Sequence, residues 1–139
     1  MPVTDKKCSI NNNYAFASET KVLQQARNLV AEIAADCGFS EQIVFDIKLA
    51  AGEAIANAIE HGSPNGKNNS INIKCYCEND DFIVIVRDEG RFKKKLPVGT
   101  GDNVNFRGRG VLIMLALMDK VIIDETKSGT SVHLSKRYR

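Results

Sequence analysis

The sequence contains no tryptophan, few aromatic residues (6%) and no marked excess of charge of either sign. Few aromatic rings leave few platforms for stacking bases, and 19 basic against 17 acidic side chains give a net charge of only +2. The longest apolar run, Val111–Met118, has eight residues, whereas a membrane-spanning helix needs about 18 or more. The composition therefore predicts neither direct binding to nucleic acid nor insertion into a membrane.

A secretion signal is also missing from the start of the sequence. Met1–Phe16 includes Asp5, Lys6 and Lys7 where a signal peptide would have an apolar stretch. We therefore expect a cytoplasmic protein, in which cysteine thiols stay reduced.

Disulfide bonds are accordingly not expected, and the cysteines are interpreted as small apolar residues. There are four of them: Cys8, Cys37, Cys75 and Cys77. A metal site formed by Cys75 and Cys77 with His61 and His133 is a weaker alternative, because the CxxC spacing typical of such sites is missing.

The chain does contain enough apolar sequence for one core, since 43% of its 139 residues are hydrophobic and no repeat or proline-rich linker divides them. We therefore expect residues 1–139 to form a single domain. Apolar residues recur every three or four positions over Glu19–Asp36, and again from Ser40, a typical N-cap, to Ile59. This spacing predicts two helices, and a third is predicted at Gly110–Met118.

Strands are predicted where apolar residues alternate or form short runs between turns. They are an opening strand near Cys8–Tyr14, a hairpin of Ile71–Cys77 and Phe82–Val86, and a final pair, Val121–Asp124 and Thr130–Ser135. The segment Asp88–Arg107 is predicted to be a loop. This order favours an α/β two-layer sandwich, with a single mixed, mostly antiparallel sheet covered on one face by three helices.

Two polar residues, Glu53 and Asn57, lie one turn apart on one face of the second predicted helix, and His61 follows after another turn. A carboxylate can accept a proton from a hydroxyl group, and an asparagine oxygen is a suitable ligand for Mg²⁺. The pair therefore suits phosphate chemistry, although each residue alone is as readily a solvated surface residue.

A second motif, Asp88-Glu89-Gly90, follows a predicted buried strand. An aspartate can accept a hydrogen bond from an exocyclic amine such as that of adenine, and a glycine lets the backbone approach a ring closely. Taken alone, Asp-x-Gly commonly makes only a turn.

Two further motifs lie where predicted elements begin. Arg107-Gly108-Arg109-Gly110 opens the third helix, where backbone N–H groups and the helix dipole favour phosphate, and either arginine could reach a terminal phosphate. Thr130 opens the last strand and could hydrogen-bond a base. In isolation these motifs are more often a loop-to-helix joint and a hairpin turn.

The order of these motifs resembles the four ATP-binding boxes of the GHKL ATPase superfamily. The resemblance is closest to the anti-sigma-factor serine-protein kinases of bacterial partner-switching systems, and it covers most of the chain. It rests on Glu53–Gly62 (EAIANAIEHG), Arg107–Val121 (RGRGVLIMLALMDKV) and Gly129–Lys136 (GTSVHLSK). The implied architecture is a Bergerat-type ATP-binding fold.

The resemblance also implies roles for the motif residues. Glu53 would be the general base, Asn57 the Mg²⁺ ligand and Asp88 the adenine contact. The remaining ATP-binding residues would be Gly90, Arg107, Gly108, Arg109, Gly110 and Thr130. The sequence departs from the usual second box, since Phe92 replaces its second glycine and the basic run Lys93–Lys95 follows. These lysines either attract phosphates or an acidic partner, or are simply solvated.

The function implied by the resemblance is that of a Mg²⁺-ATP-dependent serine-protein kinase. It would phosphorylate an anti-sigma-factor antagonist, hold a sigma factor inactive and form a homodimer. Two alternatives share the same pocket: a nucleotide-gated binding module without phosphotransfer, which would not need Glu53, and a stress-signalling kinase that binds no sigma factor. A nucleic-acid patch around Lys136, Arg137 and Arg139 is disfavoured by the balanced charge.

Overall fold

The computed structural model describes residues 12–61, 69–89 and 106–138, which fold into a sheet and a layer of helices. In chain order the elements are β1 (Asn12–Ala17), a short 3₁₀ turn (Thr20–Val22), α1 (Leu23–Asp36), α2 (Glu41–His61), β2 (Ser70–Glu78), β3 (Asp81–Asp88), α3 (Phe106–Leu117), β4 (Lys120–Thr126) and β5 (Gly129–Arg137). The predicted order of helices and strands is confirmed.

The five strands form one sheet in the order β1-β2-β3-β5-β4, and all four neighbouring pairs are antiparallel. The sheet is therefore more regular than the mixed sheet expected, because no described strand has a parallel partner. Strand β5 inserts between β3 and β4, so that β3 and β5 lie side by side near the middle of the sheet.

One face of the sheet carries the core. Alternate residues of β2, β3 and β5 are buried on that face: Ile71, Ile73, Cys75, Phe82, Val84, Val86, Val132 and Leu134. They belong to the same buried cluster as Val30 of α1, Ile55 of α2 and Met114 of α3. The three helices therefore cover one face of the sheet, as the α/β two-layer sandwich requires.

Several element boundaries differ from the prediction. The first helix begins as a 3₁₀ turn, and its α-helical part starts at Leu23. Helix α3 begins at Phe106, four residues before the predicted Gly110, because helix propensity is a weak constraint that tertiary packing overrides. Ser40 is confirmed as the N-cap of α2, since its Oγ accepts a hydrogen bond from the Ile43 backbone N–H at 3.3 Å.

The cysteines inside the described ranges are free thiols, as predicted. Burial, and secondly the nearby Cys37, raises the pKa of the Cys75 thiol to about 12. Cys75 pairs with Val84 on the face that carries the core, whereas His133 pairs with Ile85 and lies on the opposite face. The alternative metal site is therefore wrong, and no group of three potential metal ligands occurs among the described residues. Cys8 lies outside those residues.

Helix α3 is tied to the sheet at its C-terminal end. The Lys136 Nζ of β5 donates a hydrogen bond to the backbone oxygen of Leu117 at 2.6 Å. The last carbonyl groups of a helix have no partner within the helix, and the helix dipole favours a cation there. Lys136 therefore fixes one end of α3.

None of the helices within the described ranges is long and apolar enough to cross a bilayer.

We predict that Lys136→Met lowers the free energy of unfolding by about 1–2 kcal/mol, because it leaves the Leu117 carbonyl without its charged donor. Urea denaturation of the purified protein measures this change. Lys120→Met, at an exposed position on β4, is the matched control and is expected to change stability by less than about 0.5 kcal/mol. Equal stability of the two variants would contradict an anchoring role for Lys136.

Candidate active site

Helix α2 positions Glu53 and Asn57 next to α3. Both side chains are half-buried, and they lie one turn apart on α2. A Cβ atom built on Gly110 of α3 would lie 2.9 Å from Glu53 Oε1 and 3.5 Å from Asn57 Nδ2. Because Gly110 has no side chain, α3 can approach α2 closely enough for its backbone to border both polar groups. The structure thus brings together three of the predicted site residues.

The contact at Gly110 predicts an unusual variant. In Gly110→Ala the new methyl group would meet the flexible end of Glu53, which can move at little cost in stability. In addition, alanine stabilises a helix interior by about 0.5–1 kcal/mol relative to glycine. We therefore expect unfolding stability to be kept or raised. The phosphotransfer that the resemblance implies should fall about 10- to 100-fold, because the proposed general base, Glu53, is displaced.

Ala116→Gly is the converse control, since Ala116 is exposed on the same helix. This substitution should lower stability by about 1 kcal/mol and leave activity unchanged. Thermal unfolding and initial phosphotransfer rates of the two variants provide the comparison. If activity followed stability in both variants, the interpretation of the Gly110 contact would be wrong.

The second half of the site lies on β3 and β5. Asp88 and Thr130 are register partners on these strands, and only 4% and 1% of their surfaces are exposed. Both belong to the alternating set of residues that faces the helices, and α2 packs on both strands. Buried polar groups are nearly always hydrogen-bonded, so this pair offers directional groups rather than apolar surface.

Gly129 allows the start of β5 to lie close to the backbone at the end of β3. Its φ of +154° is rarely adopted by other residues, and a Cβ atom there would lie 2.0 Å from the Asp88 backbone oxygen. No side chain can occupy that space without moving the backbone of Asp88. Gly129 therefore determines how closely β5 starts beside the end of β3.

We predict that Gly129→Ala destabilises the protein by more than about 2 kcal/mol, because the clash is with backbone and the φ angle is unfavourable. Nucleotide affinity should fall as well, since Asp88 must move. Ser128→Ala, in the same exposed turn, is the control, expected within about 0.5 kcal/mol of the original protein. Thermal unfolding and ATP titration measure both effects, and a fully stable Gly129→Ala protein would contradict the geometry.

The donor groups on α2 fit a magnesium ion. Mg²⁺ prefers oxygen ligands and commonly takes only one or two from the protein, the others coming from phosphates and water. The Asn57 side chain carries one such oxygen, and the Glu53 carboxylate lies beside it on the same helix face. Among the residues that the structure describes in this site, Asn57 could hold such an ion.

Other predicted site residues are placed less fully. Arg107, Gly108 and Arg109 belong to the first turns of α3, at the end of the helix that carries Gly110. His61 is the last residue of α2. Gly90, Phe92 and the run Lys93–Lys95 lie outside the described residues.

One polar pair beside the site was not predictable from the sequence. The Asn69 side-chain amide donates a hydrogen bond to Glu89 Oε1, and Glu89 directly follows Asp88. The two residues are 20 positions apart in the chain, so no local spacing could have related them. They become neighbours only because β2 and β3 pair.

The histidine kinase-like ATPase domain family matches residues 16–136, which include both halves of the site. The chain belongs to this family. The resemblance inferred from the ATP-binding boxes is therefore confirmed at the level of the family.

Curated relatives place the chain near the anti-sigma-factor kinases of this ATPase family. An anti-sigma F factor of Oceanobacillus iheyensis is 30% identical over 130 residues, which cover 88% of this chain and 89% of the relative. A serine-protein kinase RsbW of Bacillus subtilis is 31% identical over 120 residues, which cover 79% of this chain and 74% of the relative. These similarities confirm the predicted resemblance to that group.

A solved structure of the RsbU and RsbW domains of a Mycobacterium tuberculosis protein has a similar fold, with a TM-score of 0.72 and 19% sequence identity. The match covers 93% of this chain but only 32% of that chain. It supports the histidine kinase-like architecture, because similar folds persist at identities too low to carry function.

Proposed function

We propose that this histidine kinase-like ATPase domain is a Mg²⁺-ATP-dependent serine-protein kinase and anti-sigma factor. It phosphorylates an anti-sigma-factor antagonist and, when not engaged with the antagonist, sequesters a sigma factor. The observation that carries this proposal is the convergence of Glu53 and Asn57 of α2 on Gly110 of α3. That arrangement supports the proposed roles of Glu53 as proton acceptor and Asn57 as metal ligand, close to the first turns of α3, where we expect phosphate to bind.

Phosphoryl transfer depends mainly on positioning and on charge stabilisation. The serine oxygen of the antagonist forms a bond to the γ-phosphorus, the bond to the β-phosphate oxygen breaks, and ADP leaves. Glu53 accepts the serine proton. Asn57 holds the metal ion, which when bound neutralises charge on the phosphates. The start of α3, which contains Gly108, offers backbone N–H groups to the phosphates, and Arg107, Arg109 and Gly110 are the other residues that we assign to phosphate binding.

The adenine base is recognised by residues of β3 and β5. The Asp88 carboxylate accepts a hydrogen bond from the exocyclic amine of adenine, and the Thr130 hydroxyl makes a further contact with the base. Gly90 allows the backbone after β3 to approach the ring. Burial of Asp88 and Thr130 supports this assignment, because a hydrogen bond discriminates between bases most strongly where water cannot replace it.

The rest of the proposal concerns the whole protein. Residues 1–139 form one domain that works in the cytoplasm as a homodimer. The alignment with the anti-sigma F factor of Oceanobacillus iheyensis, which covers 89% of that relative, supports the single domain. The homodimer and the cytoplasmic location are what the resemblance to the anti-sigma-factor kinases implies. The balanced charge supports protein partners rather than nucleic acid.

Substitutions of Glu53 and Asn57 should have different effects on ATP binding and on phosphotransfer. Glu53→Gln should abolish phosphotransfer while ATP binding stays within about twofold, because the amide keeps the shape but cannot accept the proton. Asn57→Ala should weaken ATP binding about tenfold or more, and only when Mg²⁺ is present. Calorimetric titration with ATP, with and without Mg²⁺, measures binding. Transfer of label from γ-labelled ATP to the antagonist measures chemistry.

Equal loss of ATP binding in the two variants would refute this division of roles. If Glu53→Gln still switched its partner in full, the protein would be the nucleotide-gated binding module and not a kinase. Gln42→Ala, at an exposed position in the first turn of α2, is the control and should behave as the original protein in both measurements.

A further inference from the structure

Asn69 and Glu89 form a polar contact at the edge of the proposed adenine site. Asn69 is only 8% exposed, and its Nδ2 donates to Glu89 Oε1. The backbone N–H of Ser70 donates to the same oxygen at 3.4 Å. Asn69 directly precedes β2 and Glu89 directly follows β3. The Glu89 carboxylate therefore joins the end of β3 to the start of β2.

Asn69 also accepts a hydrogen bond from the residue that follows a third strand, β1. Its backbone oxygen accepts a hydrogen bond of 3.0 Å from the N–H of Ser18, a buried residue that directly follows β1. Asn69 thus connects the ends of three neighbouring strands. A residue fixed at both its backbone and its side chain provides a firm support for the strand end that it contacts.

The strand end in question carries Asp88. The ends of strands open more readily than their centres, because fewer hydrogen bonds hold them. Thr130 and Gly129 border Asp88 from the β5 side, whereas the contact to Glu89 secures the chain from the β2 side. Successive strand residues point to opposite faces, so a fixed Glu89 also determines the direction in which Asp88 points.

We propose that the Asn69–Glu89 pair is a positioning device for base recognition by Asp88. The inference rests on the proposed function, in which Asp88 accepts a hydrogen bond from the adenine amine. A hydrogen bond to a carboxylate is stronger than one between neutral groups, and here two donors share one oxygen. The contacts that hold the pair lie at the ends of β1, β2 and β3, so we expect it to act on the choice of base and not on phosphoryl transfer.

The test compares ATP with GTP, which has an oxygen in place of the adenine amine. Asn69→Ala and Glu89→Ala should each weaken ATP binding about tenfold. GTP affinity should stay within about twofold, and kcat at saturating ATP should not change. Glu89→Gln should restore most of the ATP affinity because its amide oxygen still accepts hydrogen bonds. The double variant Asn69→Ala/Glu89→Ala should be no worse than either single variant, as expected for partners in one interaction.

Glu78→Ala is the matched control, since it removes the same charge from an exposed position at the other end of β2. It should leave both affinities unchanged. Unchanged ATP affinity in Asn69→Ala and Glu89→Ala, additive effects in the double variant, or an equal loss for ATP and GTP would each overturn the proposal.

Asp88→Ala, titrated in parallel, separates this inference from the proposed function. If the protein bound no ATP, or if Asp88→Ala bound ATP as tightly as the original protein, the adenine contact itself would be refuted. If Asp88→Ala lost affinity and the Asn69 and Glu89 variants did not, only the positioning role would be refuted.

Discussion

The close approach of α3 to α2 at Gly110 is the constraint on which the proposed active site depends. Any larger residue at that position would occupy the space now held by the end of the Glu53 side chain. Glycine is a poor helix former, so its position inside α3 costs local stability. That cost is offset by the packing of α3 on the core through Met114 and by the charged cap from Lys136. The contacts of Met114 and Leu117 toward the C-terminal end of α3 thus help to keep Gly110, near the N-terminal end, in its helical position.

The sheet has a comparable constraint where β5 begins beside the end of β3. Gly129 has no side chain where β5 passes the backbone of Asp88, and this close passage brings the buried Asp88 and Thr130 into register. The polar pair is buried in a face whose other buried strand residues are mostly apolar, which is unfavourable unless the groups are hydrogen-bonded. Both regions therefore rely on a glycine: Gly129 leaves room for the backbone of Asp88, and Gly110 leaves room for the end of the Glu53 side chain.

Local patterns in the sequence were sufficient to predict the order of the elements. The apolar spacing predicted α1 and α2, and Ser40 marked the start of α2 correctly because an N-cap hydrogen bond needs only nearby residues. The hairpin of β2 and β3 followed from alternation and its turn. Helix α3 was predicted to start too late, because Gly108 and Gly110 lower the helix propensity of its first turns. The adjacency of Glu53 and Asn57 was predictable from one helical turn.

Distances between remote segments were decided by the tertiary structure. The sequence by itself determined the order of elements, the face of α2 that carries Glu53 and Asn57, and the family to which the chain belongs. Only the fold decided that β5 lies between β3 and β4, that Gly110 borders Glu53, and that Asn69 contacts Glu89. The reason is physical: periodicity records which way a side chain points within its own element, whereas contacts across the chain arise from packing and strand pairing, which leave no local spacing to detect.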